Sequence, residues 1–207
     1  MKTFSHTSGN HRQRGISLVI VLVLMIAALF LGASAAVIAI QAEKASRGDR
    51  DRQVAFEAAE AALNDAAIDI EGTAAAASAG RVFSADSTLG FPPLDGSVTC
   101  FTAKNTDSFG LCRQPVPGQP AAWLSADFSV STINAESVAY GHFTNANFAT
   151  GTGNLPSRLP RYVIELMPDV QAGGSGQKLQ FFYRITAIGF GANPNTSVVL
   201  QSFHRKA

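Results

Sequence analysis

The chain is short of charged residues and of cysteine. Asp, Glu, Lys and Arg make up 15% of its 207 residues, against about 25% in an average soluble domain. A net charge of +1 excludes the broad positive surface that drives nucleic-acid binding. Two cysteines exclude a disulfide-rich scaffold and a four-cysteine zinc site. Because 46% of the residues are hydrophobic, the chain is not intrinsically disordered. We therefore expect one folded domain, alone or with an anchor.

Catalytic motifs are missing as well. The four histidines have no partner one helical turn away and no motif around them. The G-x-S-x-G, H-E-x-x-H and phosphate-binding GK[ST] patterns do not occur in the sequence. We therefore predict no catalytic residue, no metal site and no cofactor, and we predict that the protein is not an enzyme.

The missing charge has a local cause, because no charged residue lies between Arg14 and Glu43. Within this stretch, residues 16–40 are apolar except for Ser17 and Ser34. A helix of that length, at about 1.5 Å per residue, is long enough to cross a hydrocarbon core of about 30 Å. We predict a transmembrane helix here.

The flanks of the apolar run predict its orientation. Residues 1–15 contain Lys2, Arg12 and Arg14 and no acidic residue, so the positive-inside rule keeps the N-terminus in the cytoplasm. The remainder then lies outside the inner membrane, in the periplasm of a Gram-negative cell.

Three interpretations of this N-terminus remain open at this point. Ala33-Ser34-Ala35 satisfies the small-x-small rule for a cleaved secretory signal. The run is also long enough to be a plain single-span anchor. The third possibility is a leader that is cut off before the apolar run, so that the run is retained.

The helix is predicted to continue beyond the membrane, to about Ile70, because alanine is frequent and the first proline is Pro92. Gly72 is a suitable C-terminal stop. The apolar stripe is predicted to contain Phe56, Ala59, Leu63, Ala67 and Ile70. Another face carries Glu57, Glu60, Asn64 and Glu71. The charged run 49–52 is either a solvated helix face or a partner-binding surface.

The remainder of the chain has the pattern of a loop followed by strands. Residues 73–97 are small and polar with Pro and Gly, which is typical of a connecting loop. Residues 191–196 are a strong turn signal and predict a hairpin between the last two strands. Leu179, Phe181, Tyr183, Ile185 and Ala187 alternate onto one face of that hairpin, opposed by Val198, Leu200 and Ser202. Strands are predicted at Val98–Thr102, Ala126–Val130, Arg161–Met167, Leu179–Phe190 and Ser197–His204.

A second apolar set, Phe182, Ile188, Val199 and Phe203, alternates onto the other face of the hairpin. The helix or a neighbouring subunit would have to cover it. The predicted fold class is α+β, with a long N-terminal helix packed on a C-terminal antiparallel sheet.

Cys100 and Cys112 are twelve residues apart. A pair of cysteines outside the cytoplasm tends to be oxidised, and a loop this short would be stabilised by about 3 kcal/mol in the chain-entropy model. We expect a disulfide, and the alternative is two buried thiols that act as small hydrophobic side chains.

Three stretches of the sequence share their pattern with one protein family. Gln13-Arg14-Gly15 closes a basic leader immediately before the apolar run. Residues 50–63, which read RDRQVAFEAAEAAL, supply a helix signature: Arg50, Asp51, Arg52, Phe56, Glu60 and Leu63. Residues 183–191 and 198–202 have the pattern of the family's C-terminal hairpin. In these stretches the chain resembles type IV pilin precursors, and among them the PilX minor pilins, whereas residues 73–160 have no recognisable counterpart.

The resemblance implies a type IV pilin-like fold and a processing site. Prepilin peptidase would cut between Gly15 and Ile16, and the new amine of Ile16 would be N-methylated. The predicted segments are a leader (1–15), a transmembrane half of the helix (16–40), an amphipathic half (41–72), a connecting loop (73–97) and a periplasmic β-rich domain (98–207).

The sequence departs from the pilin pattern at two positions. Pilins more often have Phe where this chain has Ile16, which is a tolerated change. Most pilins have Glu where this chain has Ile20, and that carboxylate pairs with the N-terminal amine of the subunit already in the filament. A subunit with nothing ahead of it has no such amine to neutralise, so Ile20 predicts a position at or near the pilus tip. The alternative is a rare internal subunit in which Ile20 is tolerated.

The resemblance therefore predicts a minor pilin that primes pilus assembly. The expected partners are the other minor pilins, the major pilin, a tip adhesin, prepilin peptidase and the inner-membrane assembly platform. The protein would reside in the inner membrane and then in the pilus on the cell surface. Two other classes remain as alternatives: a minor pseudopilin of a type II secretion system, and an uncleaved single-span periplasmic binding or sensor domain.

Overall fold

The computed structural model describes residues 16–72, 81–93, 95–96, 98–169 and 180–206. The chain divides into two units, Met1–Arg47 and Gly48–Ala207. The predicted α+β fold class is confirmed. The elements within the described ranges are α1 (Ile16–Glu71), β1 (Leu111–Arg113), α2 (Ala122–Ser125), β2 (Val138–Ala139), β3 (Arg161–Asp169), β4 (Gln180–Phe190) and β5 (Ser197–His204).

Helix α1 has 56 residues and ends where the sequence predicts. Gly72 follows it with φ of 85°, and its amide donates a hydrogen bond to the Ile68 carbonyl at 3.1 Å. Glycine is favoured there because other residues rarely adopt a positive φ. Of the predicted loop 73–97, residues 81–93 and 95–96 are described, and they contain no helix or strand. The predicted leader 1–15 lies outside the described residues.

The strands form a mixed sheet in the order β1-β3-β4-β5, with β2 also pairing with β3. The predicted hairpin of β4 and β5 is confirmed, and its register places Ile185 opposite Ser202 and Ala187 opposite Leu200. β1, in contrast, runs parallel to β3, so the sheet is not purely antiparallel as predicted. A parallel pair requires a long crossover, and residues 114–160 supply it.

Two of the predicted strands are wrong. Only Cys100 within Val98–Thr102 is paired in a bridge, with Cys112. Residues 126–130 form no strand. There the Asp127 carboxylate accepts hydrogen bonds from the Ser129 amide at 2.7 Å and its hydroxyl at 2.6 Å, which bends the chain. β1 and β2, of three and two residues, are too short to give a period-two signal.

The main core lies between α1 and the inner face of β3 and β4. Ala62, Ala66 and Ile70 of α1 belong to one buried cluster with Tyr162, Ile164, Leu166, Phe181, Tyr183, Ile185 and Ala187. The predicted inner face of β4 is therefore confirmed from Phe181 onward, while Leu179 lies outside the described residues. Because α1 covers this face, it does not cover the second apolar set, of which Val199 is 46% and Phe203 64% exposed.

The buried face of α1 is rotated from the predicted stripe and is made of small residues. Ala59 and Ile70 are fully buried as predicted, whereas Phe56 is 37% exposed. The face consists of Ala55, Ala58, Ala59, Ala62, Asp65, Ala66, Asp69 and Ile70. The hydrophobic pattern favoured the large residues, but the position of the helix depends on the smallest ones.

The alanine face allows α1 to contact the sheet backbone directly. A Cβ atom built on Gly189 of β4 would overlap the Ala55 carbonyl oxygen and the Ala59 amide nitrogen. The alanine side chains and the missing side chain at position 189 are therefore both required for this approach.

We expect Gly189→Ala to lower the free energy of unfolding by about 1–3 kcal/mol, because the added methyl group forces the helix and the strand apart. Thermal unfolding of the detergent-solubilised protein, followed by near-UV circular dichroism, measures this. Gly48→Ala is the matched control, because nothing lies within 4 Å of its Cβ position and alanine favours helix. Equal unfolding temperatures for Gly189→Ala and the unmodified protein would contradict the role of this contact.

Candidate functional site

The first candidate surface is the apolar part of α1. Its large side chains are exposed within the described part of the chain, from Ile16 at 68% to Ile40 at 55%. By length and composition, α1 is also the one helix among the described residues that can cross a membrane. An apolar helix exposed on all sides requires lipid or protein around it. This segment is therefore suited to a membrane or to the apolar surface of other helices.

The processing and pairing positions lie at the start of this surface. Ile16 is the first described residue, and Gly15 lies outside the described residues, so the cleavage site and N-methylation stay predictions. Ile20 is 54% exposed and has no charged neighbour in sequence until Glu43. An ion pair of Arg47 with Glu43, at 2.5 Å, marks the polar end of this unit.

The second candidate surface is the junction of α1 with the sheet, and the signature residue Asp51 lies in it. Its Oδ1 atom accepts a hydrogen bond from the Asn193 amide at 2.9 Å. The pKa of Asp51 is lowered by the Thr196 side chain and also by the backbone amides of Asn193 and Ala192. A Cβ at Gly191 would overlap the Asp51 carboxylate. Asp51 therefore fixes the turn between β4 and β5 to the helix.

The other signature residues have different environments. Arg50, Arg52 and Glu60 are exposed, as is Phe56, whereas Leu63 packs against the main core. Residues of the charged run 49–52 therefore have different roles. Asp51 forms a contact within the fold, whereas Arg50 and Arg52 are exposed to solvent.

Two buried acids of α1 were missed by the sequence interpretation. Asp65 is 1% exposed; its Oδ2 accepts a hydrogen bond from the Gly141 amide at 2.8 Å, and its Oδ1 accepts one from the Thr144 hydroxyl. Asp69 is fully buried one turn later. The sequence pattern that could have identified them is the spacing of four residues between Asp65 and Asp69, which places both on the alanine face of the helix. A solvated acid is not expected on a buried face.

Asp69 forms a buried ion pair with Arg81, and both side chains are 0% exposed. Arg81 Nε donates to Asp69 Oδ1 at 3.0 Å, and the Tyr162 hydroxyl donates to Oδ2 at 3.1 Å. Arg81 Nη1 donates to the Asp107 and Phe109 carbonyls at 3.0 and 2.8 Å. One guanidinium thereby connects the end of α1 to the loop before β1.

Burial raises the pKa of Asp69, and the opposite charge of Arg81 counteracts that rise. Arg81 also lies over the Phe143 ring, with its Cζ 3.8 Å from the ring centroid. In such surroundings a charge is tolerated only with a partner. Stability of the folded domain therefore requires that both members of the Asp69–Arg81 pair are present.

The predicted disulfide between Cys100 and Cys112 is present. It belongs to a second buried cluster with Val163, Ala122 and Ala126 on the outer face of β3, and Trp123 and Phe128 pack against it. Among the described residues, no three His, Cys, Asp or Glu side chains gather in a way that would hold a metal ion.

Two family models match the chain. The model of the type IV pilus assembly protein PilX C-terminal region matches residues 97–206, and the PilX N-terminal model matches residues 14–64. The first covers β1 to β5, and the second covers the apolar helix together with the signature from Arg50 to Leu63. No curated protein and no solved structure matches the chain significantly.

We expect Arg81→Met to lower the free energy of unfolding by about 3–5 kcal/mol, because Asp69 is then left without its buried partner. Denaturant unfolding measures the loss. Arg52→Met, which removes an exposed charge of the same sign, should change stability by less than about 0.5 kcal/mol. The double variant Asp69→Leu with Arg81→Met should recover part of the loss, because neither member of the pair is left as an unpaired buried charge. A loss of similar size for Arg52→Met and Arg81→Met would refute this role of the pair.

Proposed function

This chain belongs to the PilX family of type IV pilus assembly proteins, and on that basis we propose that it is a minor pilin that primes assembly from the pilus tip. Members of this family are components of the pilus, so the role is structural. Its neighbours are other pilins, and the apolar helix anchors it in a membrane before assembly.

The proposed mechanism is a transfer of apolar surface. Residues 16–40 hold the subunit in the inner membrane, and assembly moves the same surface into the helical core of the fibre. Burial contributes about 25 cal/mol per Å² of apolar area removed from water. Here the exchange is from lipid to protein, so the quality of helix packing decides the net free energy.

The proposed orientation places the leader in the cytoplasm and the β-rich domain in the periplasm. The basic leader supports it through the positive-inside rule. The disulfide of Cys100 and Cys112 supports it independently, because disulfides persist in the periplasm and are rare in the cytoplasm. Prepilin peptidase would then remove residues 1–15 from the cytoplasmic side, and the assembly platform would extract the subunit.

The observation that carries the tip position is the missing carboxylate at Ile20. An N-terminal amine within an apolar helical core is costly unless an acid pairs with it. This chain has no acid anywhere between Gly15 and Ala42, so no neighbouring side chain in that stretch can replace the missing one. A subunit that cannot neutralise a preceding amine is best placed where no subunit precedes it.

From that position the chain would nucleate the fibre with other minor pilins and could hold an adhesin. A minor pseudopilin would share the helix and the processing. The match of residues 97–206 to the PilX C-terminal model favours the pilus.

We expect the membrane-extracted protein to lack residues 1–15 and to carry one added methyl group, because the resemblance places cleavage before Ile16. Intact-mass measurement checks this. Gly15→Val should retain the leader, whereas the matched control Gly9→Val should be processed normally. A mature form that starts after Ala35, or an unmodified protein that keeps its leader, would disprove retention of the helix by prepilin processing.

We expect immunogold labels against this protein at pilus ends, because only a terminal subunit avoids an unpaired amine ahead of it. Ile20→Glu should permit internal positions, so that labels also occur along the shaft. Val21→Glu places the same carboxylate one residue away and should not do so. Labels distributed along the shaft in the unmodified strain would defeat the tip position while leaving the family role intact.

A further inference from the structure

Arg113, the last residue of β1, lies between two cavities on the side of the sheet away from the disulfide. The larger cavity has a volume of about 520 Å³, and Arg113 is the one charged residue among those that line it. The smaller, of about 350 Å³, shares residues 113–116 with it. We call the larger one the Arg113 cavity. Its apolar lining consists of Leu166, Pro168 and Phe181 from β3 and β4 together with Pro115, Val116 and Pro117.

The Nε atom of Arg113 is buried and has no hydrogen-bond acceptor among the described residues. Arg113 as a whole is 9% exposed. Burial lowers the pKa of the Arg113 guanidinium.

In contrast, Arg81, Arg184 and Arg161 each have a hydrogen-bond acceptor for their Nε atom. Arg81 pairs with Asp69, and Arg184 pairs with Glu165 at 2.7 Å. Arg161 donates from Nε to the Ser137 hydroxyl at 2.8 Å. A buried N–H group without an acceptor costs stability that an apolar side chain of the same size would not cost. The unsatisfied Nε–H group of Arg113 therefore points to a ligand that supplies an acceptor.

We propose that the Arg113 cavity is a docking site for an acidic side chain, flanked by apolar residues, on a partner protein. A carboxylate matches the planar guanidinium and can accept two parallel hydrogen bonds from it. Pro115 and Pro117 have no N–H group, so neither residue provides a backbone donor that would compete with the guanidinium for the carboxylate.

The shape and lining of the cavity fit a short peptide segment. Its volume is in the usual range for ligand sites, about 300–1,000 Å³, and such sites combine apolar walls with a few polar groups. Leu166 and Phe181 would contact the residues that flank the acid. The site lies entirely within the unit Gly48–Ala207, so it does not depend on the tip position or on leader processing.

The test uses the full-length protein in detergent and three probe peptides. The first is acetyl-Val-Leu-Glu-Leu-Val-amide, the second has Gln in place of Glu, and the third has Gln and a free C-terminal carboxylate. Isothermal titration should show at least tenfold tighter binding of the Glu peptide than of either Gln peptide. Arg113→Met should abolish this preference, and Arg158→Met, which removes an exposed arginine, should keep it.

Thermal unfolding without peptide is a second measurement. If Arg113 had a purely structural role, its replacement would lower the Tm. Arg113→Met should leave the Tm unchanged or raise it, because the unsatisfied Nε–H group is removed. Arg113→Lys should keep the charge and part of the binding. Equal binding of the Glu and Gln peptides, preference for the free C-terminal carboxylate, or a lowered Tm for Arg113→Met would each overturn the proposal.

Discussion

Direct contact between the backbone of α1 and the backbone of β4 sets the position of the helix on the sheet. It requires alanine at Ala55 and Ala59 and no side chain at Gly189. Close approach brings the helix far enough into the sheet for Ile70 and the inner faces of β3 and β4 to form one core. Larger residues on this helix face would separate the layers and open voids, which a densely packed interior does not tolerate.

Three aspartates of the helix act together with this contact. Asp51 holds the β4–β5 turn, Asp65 holds the loop at Gly141, and Asp69 holds Arg81. They follow one another along one helix at intervals of 14 and 4 residues. Each connects the helix to a different irregular segment, and buried hydrogen bonds of this kind give those segments one geometry where apolar contacts alone would allow several. The helix therefore fixes the position of several irregular segments of the globular domain.

Both proposals depend on an unpaired polar group. Ile20 provides no carboxylate for the amine of a preceding subunit, and the Nε–H group of Arg113 has no hydrogen-bond acceptor among the described residues. In surroundings of low dielectric constant, an unpaired amine or guanidinium is costly. We therefore propose a subunit that no other precedes and a partner that supplies an acid. The matched charges, such as Arg184 with Glu165, are kept within the fold.

The long helix, its end near Gly72, the final hairpin and the resemblance to PilX can be read from the amino-acid sequence, because they depend on local periodicity and on residues adjacent in the chain. Which side of α1 is buried depends on three-dimensional packing. Hydrophobic periodicity predicts that large apolar residues such as Phe56 are buried. Close packing on Gly189 instead buries the alanine face, and Asp69 is buried because it lies on that face. Three-dimensional packing also decided the parallel pairing of β1, because a strand of three residues carries no pattern of its own. Contacts between residues far apart in the chain, such as Asp69 with Arg81 and Tyr162, form only when α1 is packed on the sheet.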